Sequence, residues 1–304
     1  MSTQAYPIRP VRLLVPFPPG GSTEFTAQRL AKPLGEILGQ PFVVESRVGD
    51  FGIAAMRALL DADAYTLMVG SVNTNSIAPI VFRKRIDFDY SAHIRPVSRL
   101  AEVPSVLVTR PVVPADTVRE FIEYGKRTWG RIRNGTDWIG SYPDIDGLLF
   151  ARAAGFEIVN VAKSGGAQSL LAAVISDEID MLFLNARTAG LAARAGKVKA
   201  LAVTGSSRLS NLPEVPTMAE SGFPGIGSTH WQGLFMSNGT PDEIVRLLHR
   251  AVVRALSGDE IKATFANMGA RVTPSESPEQ FAAEIAAEMV QWERVTAEIK
   301  LAVQ

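Results

Sequence analysis

The chain has 304 residues, with 31 basic side chains balanced by 31 acidic ones, three histidines and no cysteine. That length suits two α/β lobes or one large domain, and the balanced charge, without a basic block, excludes the electrostatic footprint of a nucleic-acid binder. The missing cysteine excludes disulfides and thiolate chemistry, while His93, His230 and His249 lie too far apart for a local metal motif, so neither metal nor cofactor is expected.

From the N-terminus, short β-branched or aliphatic runs predict strands at 11–15, 42–44 and 66–69. Between the first two, a stripe of Ala27, Leu30, Ala31, Leu34, Ile37 and Leu38 predicts a helix over 23–38, closed by Gly39, with Pro33 kinking it or lying on its solvated side. Further strands are predicted at 105–108, 158–161, 181–184, 199–204 and 231–236, with helices at 116–128, 145–154, 167–176 and 188–195. Such alternation is the signature of an α/β protein. Thr240-Pro241-Asp242-Glu243 and Ser277-Pro278-Glu279-Gln280 each predict a capping hydroxyl and a first-turn proline ahead of a core-facing helix. No long linker interrupts the chain, so a two-lobed molecule needs short crossings, for which 102–105 and 227–233 are candidates. No apolar run reaches the 18 residues of a membrane span.

Chemistry concentrates in loops. After the first strand, Pro16-Phe17-Pro18-Pro19-Gly20-Gly21-Ser22-Thr23-Glu24 stops sheet pairing, turns on two glycines and opens a helix. Such a turn either presents free N–H groups to a carboxylate or phosphate oxygen, or is an ordinary turn capped by Ser22 or Thr23. It lacks the P-loop lysine and the G-x-G-x-x-G spacing, which disfavours nucleotide phosphates. A second Gly-rich stretch, Asn134 to Pro143, also precedes a helical pattern and can face the first across a cleft. Ser71, Asn73 and Thr74 on one side, and Ser164, Gly165 and Asn185 on the other, can complete a mixed pocket. Trp138, in so polar a loop, either lines that pocket or plugs into its own lobe. Asp137, Asp144 and Asp146 form a solvated or capping group more readily than a paired acid/base site, and no catalytic constellation emerges.

Longer motifs carry a resemblance. Tyr6-Pro7-Ile8-Arg9-Pro10-Val11-Arg12-Leu13-Leu14-Val15-Pro16-Phe17-Pro18-Pro19-Gly20-Gly21, Leu38-Gly39-Gln40-Pro41, Ala195-Gly196-Lys197-Val198-Lys199-Ala200-Leu201-Ala202-Val203-Thr204 and Leu212-Pro213-Glu214-Val215-Pro216-Thr217 resemble, in order, the Bug family. These are the TctC-like extracytoplasmic solute receptors of tripartite tricarboxylate transporters. The resemblance implies a periplasmic-binding-protein (Venus flytrap) fold, two α/β lobes with a ligand cleft between them: residues 1–103 and 230–304 in the first lobe, 104–229 in the second. It implies a non-enzymatic receptor for a small organic carboxylate, aromatic or dicarboxylic, with membrane transporter subunits as transient partners. The alternatives are a sensor lobe for a signalling partner and a hydrolase or lyase on a similar scaffold.

By position, the resemblance assigns ligand contacts to Phe17, Gly21, Ser22 and Thr23 in the first loop, to Gly135, Thr136, Gly140 and Ser141 in the second, and to Ser71 and Thr74. Trp138, Ser164 and Asn185 join them as candidates from the residue reading. Departures from the family pattern include Glu24 for aspartate, Asp137 and Trp138 for small residues, and Asp144 for histidine. Asp137 is expected either to pair with a ligand ammonium group or to cap the following turn, and Trp138 to stack an aromatic acid. A Met-Ser-Thr leader before the family's usual mature start implies a signal peptide outside this sequence and a periplasmic location.

Overall fold

The computed structural model describes residues 6–128, 132–227 and 229–301. Its first half-sheet is built by β1 (Val11–Val15), α1 (Ser22–Leu38), β2 (Phe42–Ser46), α2 (Ile53–Leu60) and β3 (Thr66–Ser71). A π-helical turn, Asn73–Ile77, leads into two short helices, α3 (Ala78–Val81) and α4 (Tyr90–His93), and then into the long strand β4 (Ile94–Thr109). The second half-sheet follows with α5 (Val118–Arg127), β5 (Ile132–Thr136), α6 (Tyr142–Ala154), β6 (Ile158–Ala162), α7 (Gly166–Ile175), β7 (Met181–Asn185), α8 (Ala186–Arg194) and β8 (Lys199–Val203). The chain returns through β9 (Thr229–Ser237), then α9 (Asp242–Leu256), α10 (Asp259–Asn267), β10 (Arg271–Val272) and α11 (Pro278–Glu298).

Strand order is β2-β1-β3-β9-β4-β7-β5-β6, with β8 and β10 also pairing β4. β4 is the element common to both halves. Its residues up to Pro104 run antiparallel to β9, from Ile94 opposite Ser237 to Pro104 opposite Thr229. From Ser105 onward it pairs instead with β7 and β8. The expected crossing at 102–105 is therefore the middle of one unbroken strand; of the other candidate, 227–233, Ser228 lies outside the described residues, and 229–233 open β9.

Side chains sort by the period of two that a strand imposes. On β1, Val11, Leu13 and Val15 join one core with Leu67, Val69, Leu234 and Met236, whereas Leu14 faces a second core with Met68 and Phe235. In the other half, Val106 and Val108 share a core with Leu182 and Leu184, while Leu107 meets Phe183 on the opposite face. Both half-sheets are thus covered on both faces, as sheets with parallel strands require.

The predicted strands appear, most of them extended by a residue or two. Gly39, at φ +78°, closes α1 as expected, and the helix runs through Pro33, which is half-buried. Ser277 caps α11 by accepting from the Gln280 amide at 3.0 Å. Two expectations change. Thr240 does not cap α9: Pro241 holds that position, and the Thr240 N–H instead closes a turn onto the Ser237 carbonyl. The stretch from Asn134, read as loop, begins inside β5. Asn134 is stable there because its buried amide donates to Asn160 Oδ1 at 3.0 Å and to the Pro143 carbonyl at 3.3 Å.

Candidate functional site

A cavity of about 70 Å³ lies where the two half-sheets face each other. Its first wall is the β1–α1 turn. Gly20 takes φ +94°, its N–H donates to Glu24 Oε2 at 2.5 Å, and its carbonyl accepts from Gln168 at 3.2 Å and Arg187 at 2.9 Å. Glu24 thus ties the turn to the helix, and α7 and α8 reach across to hold it. Gly21 is the N-cap, in extended backbone and with no side-chain cap. Neither Ser22 nor Thr23 caps α1, since both hydroxyls accept from Gln232 Nε2 on β9, at 3.0 and 3.3 Å. The amides of Ser22, Thr23 and Glu24 therefore open α1 with no intrahelical acceptor, at the positive end of a 17-residue helix.

The second helix N-terminus at this cavity is that of α7, not α6. Gly165 and Gly166, at φ +114° and +70°, turn the chain so that Ala167 and Gln168 line the cleft beside Gly21. The α6 turn is closed from within. The Gly140 N–H donates to Asp144 Oδ2 at 2.6 Å, the Ser141 N–H to the Trp138 carbonyl at 3.0 Å, and the Tyr142 N–H to Asn73 Oδ1 at 3.0 Å. Asp144 is held as an amide acceptor; burial pushes its carboxyl up to about 6, against the Gly140 and Asn160 hydrogen bonds that lower it.

Of the candidate contacts, Phe17, Gly21, Ser22, Thr23, Ser71 and Asn185 come together around the cavity. Trp138 and Ser164 instead border an adjoining cavity of about 380 Å³, which shares Phe17, Asp137 and Gly165 with the first. Five candidates line neither. The Thr74 hydroxyl, fully buried, accepts from the Ser71 amide and donates to Asn75 Oδ1 at 2.6 Å. Thr136 and Ser141 bond each other at 2.7 Å. Gly135 and Gly140 are packing glycines: a Cβ would sit 2.8 Å from Ile179 in the first and 2.8 Å from Leu301 in the second. Trp138 neither lines the cleft nor fills its own half. It inserts among Phe51 and Phe82, with ring centroids 5.6 and 6.4 Å away.

Sequence reasoning missed Tyr142, Gln168, His230, Trp231 and Gln232 as cleft residues. The Gly165-Gly166 pair before a helix repeats the Gly20-Gly21 signal and could have led to Gln168. The three β9 residues carry no local signal, because only tertiary pairing brings that strand between the halves. Trp231 is fixed there by donating from its indole to Glu288 Oε2 at 2.9 Å.

The cavity wall carries no lysine or arginine among the described residues. Its one carboxylate is Asp137, half-buried, whose Oδ1 is enclosed and makes no hydrogen bond. Burial pushes that carboxyl up to about 7. His230, 5% exposed, lies 3.6 Å from the Tyr142 ring, and neither of its nitrogens has a hydrogen-bond partner.

Fold and cleft together define a two-lobed solute-binding protein of the periplasmic type, the architecture of its structural neighbours. The chain belongs to the tripartite tricarboxylate transporter family of receptors, whose family model matches residues 26–301. It is similar to protein BugT of Bordetella pertussis, 33% identical over 303 residues, covering 98% of this chain and 91% of BugT. Among solved structures, an R. palustris protein with adipate superposes with a TM-score of 0.92 at 29% identity, covering 98% of this chain and 99% of that one. MatC from Rhodopseudomonas palustris with bound malate gives 0.85 at 31%, covering 95% and 99%.

Proposed function

We propose that this chain is an extracytoplasmic receptor that captures a small organic carboxylate between two lobes and delivers it to the membrane subunits of a tripartite tricarboxylate-type transporter. The lobes comprise residues 1–103 with 230–304, and 104–229, and the protein works in the periplasm. The observation that carries this reading is the pairing of the α1 and α7 N-termini around one small cavity that has no cationic side chain among the described residues. Helix-end amides are a sufficient anion site by themselves. The adipate and malate held by the two related structures support it. Ligand binding favours the closed arrangement of the lobes through contacts made only there.

Gly21→Glu tests the site. A Cβ at Gly21 meets nothing within 4 Å and the backbone there suits any residue, so the fold is expected to survive with an unchanged melting temperature. A carboxylate placed at the α1 amides should weaken binding of small organic acids at least about a hundredfold by calorimetry, through repulsion and obstruction. Unchanged affinity would remove α1 from the site. Recovery of unaltered acid after incubation separates a receptor from an enzyme.

A further inference from the structure

We infer that the cleft selects a carboxylate that also bears an ammonium group, a zwitterion rather than a dianion, with the α1 amides holding the carboxylate and Asp137 and His230 receiving the ammonium. The inference rests on the carboxylate-receptor reading above. It begins from an imbalance of hydrogen-bonding capacity: a buried polar atom ordinarily has a partner, yet the cleft wall holds Asp137 Oδ1 and both nitrogens of His230 without one. Ionised Asp137 accepts only, and neutral His230 offers one acceptor nitrogen beside one N–H, whereas a ligand carboxylate brings further acceptors and no donor. An ammonium group brings three donors. Phe17, Tyr142 and Trp231 add aromatic surface to the same wall, which a cation tolerates and a second carboxylate does not.

The charges around Asp137 agree. Tyr142 on α6 is its neighbour, and that hydroxyl is pushed up by burial first and then by the Asp137 and Asp146 carboxylates. Asp146, also on α6, stands 3.7 Å from His230 on β9, and Glu288 on α11 interacts electrostatically with the same ring. Asp144 is already bound to Gly140 and Asn160. Two guanidinium groups border this region: Arg187, whose Nη1 donates to the Gly20 carbonyl at 2.9 Å, and Arg85, across the adjoining cavity, 3.7 Å from Asp50 and stacked over Phe51. No neighbouring charge contributes to the elevated carboxyl of Asp137, which burial alone sets. A dianion such as adipate or malate would bring a second negative charge into this neighbourhood; an ammonium would neutralise it.

Calorimetry on the intact chain with matched pairs tests this: alanine against propionate, 4-aminobutyrate against butyrate and 2-aminobenzoate against benzoate, with adipate and malate as dianions. At least one amine-bearing acid is expected to bind tenfold or more tightly than its amine-free partner at pH 8. Asp137→Asn should erase that preference, through loss of affinity for the amine-bearing acid. In the unsubstituted protein, affinity for the amine-bearing acid should rise roughly tenfold or more from pH 5.5 to pH 8, because only ionised Asp137 attracts the ammonium. That profile stands alone if the variant does not fold. The inference is overturned if the amine-free acids or the dianions bind as tightly as the amine-bearing ones, if Asp137→Asn leaves the preference intact, or if affinity falls with rising pH. Dianions binding well while amines confer no advantage would remove this inference only. Absence of heat with every acid at millimolar concentration would remove the carboxylate-receptor reading as well.

Discussion

Trp138→Ala is expected to lower the free energy of unfolding by about 3–5 kcal/mol, read as a reduced urea midpoint at neutral pH. The indole is 8% exposed and lies in a buried cluster with Phe82, Val81 and Ile145, while Phe51 stacks on Phe82 at 4.3 Å. Truncation therefore removes a large apolar area and leaves a cavity in a region that joins the two halves of the molecule. Trp138→Phe is the control. The indole nitrogen makes no hydrogen bond, so phenylalanine forfeits only ring volume and should cost about 1–2 kcal/mol. Because Trp138 borders the adjoining cavity and not the cleft, that variant should also bind a small carboxylate within about twofold of the parent. A large loss of affinity in Trp138→Phe would place the ring in contact with ligand.

A comparable loss, about 3–5 kcal/mol, is expected for Asp180→Ala. Asp180 is 4% exposed and accepts from the Arg133 amide and Nε, both at 2.8 Å, from Arg133 Nη2 at 2.9 Å, and from Arg110. Its own amide and carbonyl bond Arg133 of β5 and Thr109 of β4, so one residue pins three strands. Without the carboxylate, two guanidinium groups, Arg110 being only 12% exposed, keep only the exposed Asp177 carboxylate between them. Burial alone would raise the Asp180 carboxyl, but the Arg133 hydrogen bonds and the Arg110 and Arg133 charges outweigh it and hold it below the usual carboxylate range. A carboxyl depressed by folding adds stability above its unfolded pKa, near 4, and loses it as the pH falls through the folded value. The gap between parent and variant should therefore be full at pH 7 and narrow below about pH 4. A gap independent of pH would assign the cost to packing alone.

How much of this was legible in the sequence depends on where each residue's partners lie. β1, β3 and β7 were readable because burial on both faces demands unbroken aliphatic runs, and α1 and α11 because their stripes and end signals are local. β5 was not, since its Asn134-Gly135 interior contradicts strand propensity: Asn134 is tolerated by its amide partners, and Gly135 because Ile179 occupies the space of a side chain. The first strand of the crossing was seen only over its apolar end, 105–108, because Arg95, Pro96, Arg99 and Glu102 hide the sixteen-residue strand β4. At the site, the β1–α1 turn announced itself through glycines followed by hydroxyls. The second Gly-rich stretch looked equally open, but its amides are taken by Asp144 and Asn73, two acceptors that no local pattern assigns to them.

The route of β4 also bears on the order in which the emerging chain can assemble. Residues 105–109 find their partners β7 and β8 within the segment that ends at Val203, whereas residues 94–104 pair with β9, which begins only at Thr229. In a chain that emerges N-terminus first, the N-terminal part of the strand waits for its mate until β9 has followed. During that interval β3 also lacks the neighbour that finally covers it, since its far edge belongs to β9. The middle segment can complete its own sheet while the first-made segment stays unfinished, exposing an apolar edge of the kind that chaperones hold.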